Sequence, residues 1–228
     1  TNGFYLPFSN DALATSFTDS ATGNVIGRTG DGVMTKTGQK KFGTASGFWD
    51  ASADSYLTAG NSSIGATGTG DWTIEAWVYN DVSQADTNRS FFTQCAASNN
   101  DGLQIEWQAS GNLTVWDYSL NNDWTDLCGT GGVATPIDTW FHLAVVRYGN
   151  TFKMYIDGTV AATTRTQSGD MAPTAGPQIG WHRSSSTRYL KDSYVDEFRI
   201  SNVARYTANF TPATSAFVTD ANTQLLLH

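Results

Sequence analysis

Between Trp140 and Gly158 the chain reads WFHLAVVRYGNTFKMYIDG, two alternating runs joined by Gly149-Asn150. In an extended chain side chains point alternately to opposite faces, so Phe141, Leu143 and Val145 share one face and His142, Ala144 and Val146 the other. A strand apolar on both faces must be covered on both sides, which places it centrally in one of two stacked sheets. The same grammar recurs at Phe4 to Phe8, Trp72 to Tyr79, Phe91 to Cys95, Leu103 to Trp107, Leu113 to Tyr118 and Tyr194 to Ile200. Gly, Asn or Asp closes the runs, and no window of about 11 residues holds the spacing of an amphipathic helix. Asp101-Gly102, Ser110-Gly111-Asn112, Gly149-Asn150 and Asp157-Gly158 supply hairpin chemistry, so consecutive strands are expected to pair antiparallel. Residues 9–47 and 164–193, rich in Ser, Thr and Gly, read as long loops.

At 228 residues the chain suits one large all-β domain, and 13% aromatic with 39% hydrophobic residues provide for a substantial core. Only 15% of residues are charged and the formal charge is −8. That charge opposes a phosphate backbone, so nucleic acid is not an expected partner. No run of about 18 apolar residues suggests membrane insertion, and the opening residues lack the pattern of a signal peptide. Cys95 and Cys128 match no metal spacing; they read as buried thiols or as one disulfide.

Four stretches together resemble the laminin-G-like, or concanavalin A-like, jelly-roll superfamily: FGTASGFWDASADSYLTAG (42–60), DWTIEAWVYN (71–80), TWFHLAVVRYGNTFKMYIDGTV (139–160) and YVDEFRISNVARYTANFTPATSAF (194–217). Their order is the family order. The opening GFYLPF and the closing VARYTANFTPATSAFVTDANTQLLLH are further similar to segments of marine phage structural proteins that carry such domains in tandem, although the long hairpin has no second copy here. The resemblance implies a single antiparallel two-sheet jelly-roll sandwich over residues 1–228. It also implies a non-catalytic virion structural, decoration or tail-adhesion module, assembly-bound, with other virion subunits and host-surface glycans as partners. A secreted bacterial carbohydrate-binding or adhesion domain is the alternative. Superfamily members hold a structural calcium ion between an N-terminal loop and the aspartate opening the last long strand; the matching residues are Asp19 and Asp196, with Asp196 as a plain hydrogen-bonding residue the other reading.

Hydrolysis of a glycoside needs two carboxylates flanking one sugar. The E-x-D-x-x-E strand of hydrolase relatives does not occur, Asp196 and Glu197 are adjacent and expected on opposite faces, and only Glu75 and Glu106 remain to oppose each other from separate strands. His142 reads as a satisfied core residue, and His182 and His228 have no G-x-S-x-G partner. No enzyme is expected. Glycan contact or a subunit interface instead needs aromatic faces beside fixed polar groups. Trp72, Trp77 and Trp140 fall in strand motifs and read as packing. Trp107, Trp116, Trp124 and Trp181, with Arg183 and Tyr189, lie near strand ends or in loops and are the candidates. Asn122, Asp123 and Asp126 form a second oxygen-rich cluster without the spacing of a calcium loop.

Overall fold

The computed structural model describes residues 17–228 apart from 52–53, 60, 96–101, 119–124, 129–131, 162–163 and 183–187. The expected strand at Phe4 to Phe8 lies outside the described residues. In chain order the strands are β1 (Phe17–Thr18), β2 (Val25–Thr29), β3 (Val33–Lys36), β4 (Ser46–Trp49), β5 (Tyr56–Ala59), β6 (Trp72–Asn80), β7 (Arg89–Gln94), β8 (Leu103–Trp107) and β9 (Asn112–Asp117). There follow β10 (Thr125–Asp126), β11 (Val133–Ala134), β12 (Trp140–Tyr148), β13 (Thr151–Ile156), β14 (Thr159–Val160), β15 (Arg165–Thr166), β16 (Gln178–Ile179), β17 (Ser193–Ser201) and β18 (Thr223–Leu227). No helix occurs among the described residues.

Two antiparallel sheets form a sandwich. The first runs β1-β2-β5-β16-β7-β8-β9-β10 with β11 on β9; the second runs β14-β13-β12-β6-β17-β4-β3 with β15 on β13 and β18 on β17. β12 is central, between β6 and β13, as its two apolar faces require. Its inward residues Phe141, Leu143 and Val145 join Trp72, Ile74 and Val78 of β6, Phe92 of β7 and Leu103, Ile105 and Trp107 of β8 in one core between the sheets.

The two stretches expected to be loops are a correction. Residues 9–47 contain β1, β2, β3 and the start of β4, and 164–193 contain β15 and β16. Alternation persists there, with Ile26, Val33, Thr35 and Ile179 buried, but in runs of two to five residues whose outward positions include Gly27, Thr29, Lys36 and Gln178. Such runs are too short for periodicity to stand out.

Turn chemistry is as expected where it is described. Tyr148 pairs Thr151 across Gly149-Asn150, and Ile156 pairs Thr159 across Asp157-Gly158. Asp157 and Gly158 have φ of +48° and +76°, the two positive values of a type I′ turn. Gly158 is needed twice over, since a Cβ there would lie 1.9 Å from the Phe210 carbonyl oxygen.

That close approach marks the closing segment, which crosses the outer face of the second sheet between β17 and β18. Ala204, Tyr206 and Phe210 pack on Ala144, Val146 and Tyr155, and Ala213 and Phe217 on Trp77 and Leu226. The residues that resemble a link between repeats are thus folded back onto their own sandwich.

Candidate functional site

β8 turns Leu103, Ile105 and Trp107 into the core and therefore Gln104 and Glu106 outward. Register aligns Gln178 of β16, Thr93 of β7, Gln104 and Trp116 of β9 in one row across the first sheet, and Ser90, Glu106 and Thr114 in the next. This outer face is polar, yet Ser90, Thr93, Gln104 and Glu106 are fully buried. Glu106 organises it: its carboxylate accepts from Gln108 Nε2 at 2.7 Å, Asn88 Nδ2 at 3.3 Å and Gln104 Nε2. His182 Nε2 stands 3.3 Å from Glu106 Oε2, and Arg188 Nη1 3.4 Å from His182 Nε2.

The segment after β16 is tied down on this face. The Thr93 hydroxyl donates to the Trp181 carbonyl and the Ser90 N–H to the Arg188 carbonyl at 3.0 Å. Beside it stands an aromatic ledge. Tyr56 of β5 lies 5.7 Å from Trp181 and 6.2 Å from Tyr189 between ring centroids, the latter pair stacked. All three rings are half-buried, so each is held by packing yet keeps a surface to offer. Two amide oxygens of the same face, Gln104 Oε1 and Gln178 Oε1, are buried and meet no donor among the described residues.

The sequence-derived candidates divide. Trp181 and Tyr189 come together, joined by Tyr56, which sequence reasoning missed; its signal was the alternation of YLTA, which sets Tyr56 and Thr58 opposite buried Leu57 and Ala59. Trp116 is half-buried on the polar face. Trp107 is a correction: it is fully buried, edge-on to Phe91 at 6.2 Å, and its Nε1 donates to Thr135 Oγ1 at 2.8 Å. Alternation within β8 decides its direction, and proximity to the strand end does not. Trp124, Arg183, Asn122 and Asp123 lie outside the described residues. Cys95 and Cys128 are buried and not joined to each other; burial and the nearby Asp126 push the Cys128 thiol well above its ordinary range.

Glu75 and Glu106 do not oppose each other. Both point outward, but from different sheets, so the whole sandwich separates them. Glu75 lies beneath the closing segment, where Arg199 Nε donates to Oε1 at 2.8 Å, Tyr206 Oη to Oε2 at 2.8 Å, and His142 Nε2 stands 3.2 Å from Oε2. His142 is accordingly a buried histidine with a partner, as expected. Strict alternation fails at Asp196-Glu197: a bulge intervenes and Glu197 adopts φ +54°. Glu197 accepts the Phe217 N–H at 2.6 Å and lies 3.0 Å from His228 Nδ1, a role for the terminal histidine that its sequence position did not disclose.

The calcium expectation can be tested on the donor set. Asp19 Oδ1 accepts the N–H groups of Ala21 and Leu226, both at 2.8 Å, and Oδ2 that of Thr22 at 2.9 Å. Asp196 Oδ2 accepts the N–H groups of Lys41 at 2.8 Å and Phe42 at 3.0 Å. Hydrogen-bond donors meet both oxygens of Asp19 and Oδ2 of Asp196, and among the described residues no group of three or more His, Cys, Asp or Glu side chains is placed to hold a metal. These residues do not fit a bound calcium ion. Asp19 ties the N-terminal loop to β18, and Asp196 ties β17 to the loop before β4. Asp126, the described member of the second cluster, accepts the Cys128 N–H at 3.0 Å.

A pH prediction follows. Burial, assisted by the Glu197 charge and opposed by the backbone N–H groups of Phe42, Lys41 and Glu197, pushes Asp196 from 3.8 up to about 6. A raised folded-state pKa gives stability that is full below the unfolded value and lost as pH rises through the folded one. Relative to Asp196→Asn, the protein should therefore lose up to ~3 kcal/mol of unfolding free energy between about pH 4 and 8. Urea unfolding at each pH measures this, and a chelator should leave the wild-type midpoint unmoved; a fall on chelation would restore the cation.

With this geometry in hand, the class of the protein is clear: the chain belongs to the concanavalin A-like lectin/glucanases superfamily, whose laminin G-like profile matches residues 50–209. Comparison with curated proteins finds no match. Among solved structures, the binding domain of Paraclostridial Mosquitocidal Protein 1 is similar at 14% identity and a TM-score of 0.64, covering 85% of this chain and 49% of that one. The botulinum neurotoxin serotype G binding domain is similar at 12% identity and a TM-score of 0.56, covering 86% and 49%. Domain 4 of AbnA, a GH43 extracellular arabinanase from Geobacillus stearothermophilus solved with arabinotriose, gives 20% identity and a TM-score of 0.57, covering 86% and 95%. This chain thus spans about half of each toxin binding domain and nearly all of the arabinanase domain. At these identities the likeness is one of fold. The two toxin structures are of binding domains, not catalytic ones.

Proposed function

We propose that this protein is a non-catalytic carbohydrate-binding module whose ligand lies on the outer face of the first sheet, against the ledge of Tyr56, Trp181 and Tyr189. The observation that carries the reading is the joining of half-buried aromatic rings to a preorganised polar face through the bond from Thr93 to Trp181. Apolar ring faces match the apolar faces of sugars, and fixed polar groups match their hydroxyls. The arabinanase domain was solved with arabinotriose, which makes arabinotriose the first probe in a wider panel of oligosaccharides. Trp181→Ala should weaken binding about tenfold or more by isothermal titration while shifting unfolding by less than about 1 kcal/mol. A tight-binding panel member indifferent to Trp181→Ala would overturn the placement of the site.

A module of this kind works outside the cell, in a secreted protein or on a particle surface. The virion setting, with other virion subunits as partners, rests on the phage-like opening and closing segments and on one further observation. Trp140, Tyr79, Tyr194, Phe48 and Met34 align across β12, β6, β17, β4 and β3 on the outer face of the second sheet, all half-buried. Aromatic residues of this kind are enriched where subunits meet, so this row is the surface proposed to dock in an assembly while the first sheet faces glycan. Mass spectrometry of purified particles tests the setting, since their lacking this chain would remove it.

A further inference from the structure

On the outer face of the second sheet, the aromatic row that crosses β12, β6, β17, β4 and β3 carries opposite charge along its two sides. On one side Asp138, Asp81 and Asp192 each stand two residues from a ring of the row, Trp140, Tyr79 and Tyr194. Backbone bonds hold the three together across the end of the sheet: the Asp81 N–H donates to the Asp192 carbonyl and the Asp138 N–H to the Asn80 carbonyl, both at 2.9 Å. Asp81 and Asp138 are exposed. Burial first, then Asp81, Tyr79 and Asp192, raises the Tyr194 phenol above its ordinary range, so these carboxylates act on the row itself. The other side is basic. Two positions back along β6 from Tyr79, the Trp77 ring has Lys41 Nζ 3.7 Å from its centroid, and Lys36 Nζ lies 5.7 Å from that of Phe48. Among the described residues no ion pair engages these three aspartates or these two lysines.

We infer that the partner of this row is a second copy of the chain, related by a two-fold axis that runs along the row between the two facing sheets. The inference rests on the reading of the row as a docking surface and names its occupant. A half-turn about that axis reverses the strand direction, so each aspartate edge lies over the lysine side of the other copy. Asp81 then faces Lys41, since both lie along β6, and the rings meet rings with Tyr194 at the middle of the row. An axis along the strands would set aspartate against aspartate, so the charges select the first arrangement. Such a contact is isologous and closes as a dimer, with the strands aligned as stacked sheets prefer. The row crosses five strands, about 19 Å, and about 14 Å of chain divides Asp81 from Trp77. A patch of that size is smaller than a standard interface, so the dimer is a weak one.

Sedimentation velocity of the whole chain, from about 5 μM to about 1 mM, is the test. A mass that rises from one chain toward two, with a dissociation constant on the order of 100 μM, is the expected result. Asp81→Lys sets lysine against Lys41 and should weaken association about tenfold or more, with an unmoved urea midpoint because residue 81 is exposed. Lys41→Glu should do the same, and an equimolar mixture of the two variants should associate as wild type does, since each altered charge then meets its opposite. The Asp81→Lys result stands alone if Lys41→Glu fails to fold. A chain monomeric throughout, a dimer indifferent to Asp81→Lys, or two folded variants that do not associate on mixing would each overturn the inference. A monomer that purified particles nonetheless contain would remove the second copy and leave the row to another subunit. A monomer absent from particles would remove the docking reading as well.

Discussion

Replacing Glu75 with alanine is expected to lower the unfolding free energy by about 3–5 kcal/mol, the penalty for leaving one member of a buried ion pair without its partner. Arg199 gives two nitrogens to Glu75 Oε1, at 2.8 and 2.7 Å, and its guanidinium carbon stacks 4.0 Å over the Phe217 ring. With the carboxylate gone, the Arg199 charge and the Tyr206 hydroxyl are stranded under the closing segment, and the stacked Tyr206–Phe210 pair loses its anchor. The double variant Glu75→Leu, Arg199→Met should recover much of the loss, because it removes charge and partner together. Acid separates the two proteins further. Burial raises the Glu75 pKa, but the His142 hydrogen bond and the Arg199 charge outweigh it and hold the carboxyl below its usual range. A depressed pKa gives stability that is present above the unfolded value and lost as pH falls through the folded one. Wild type should therefore weaken in acid through this group, and the double variant should lack that component. Urea unfolding followed by tryptophan fluorescence reads both effects, and a Glu75→Ala loss below about 1 kcal/mol would show that the pair behaves as a solvated surface bridge.

Trp107→Ala should cost a similar amount, about 3–5 kcal/mol, for a different reason. The indole is fully buried between the sheets and meets Phe91 edge-on, so truncation leaves a cavity and removes the hydrogen bond from Nε1 to the Thr135 hydroxyl. The contrast with Trp181→Ala separates packing from recognition: the first variant should melt early yet bind glycan normally once folded, the second should melt almost normally and bind poorly. Loss of binding in a folded Trp107→Ala protein would place that ring in the site after all.

What the sequence disclosed was whatever period two controls. Leu103 to Trp107 and Trp140 to Tyr148 are strands with those bounds, and the inward and outward sets of β6 and β12 are as alternation assigns them. Alternation also held the answers to Trp107 and Tyr56; nearness to a strand end was the weaker guide. Other features depend on contacts that no local pattern encodes. The closing segment has no period, because Tyr206, Phe210 and Phe217 are placed by the surface they cover. The donors to Asp19 and Asp196 are backbone groups, and Leu226 lies 207 residues from Asp19, so a family-like aspartate position reads alike whether amide hydrogens or a cation meet it. The bulge at Glu197 occurs without a glycine to announce its positive φ.

The central claim is that the outer face of the first sheet holds sugar. An amide-resolved NMR titration with the tightest-binding oligosaccharide of the panel tests it most directly. Shifts concentrated at Tyr56, Thr93, Gln104, Trp181 and Tyr189, with Tyr79 and Tyr194 on the opposite sheet unchanged, are the result expected. Shifts confined to the Tyr79–Tyr194 row, or none on either sheet under saturating sugar, would contradict it.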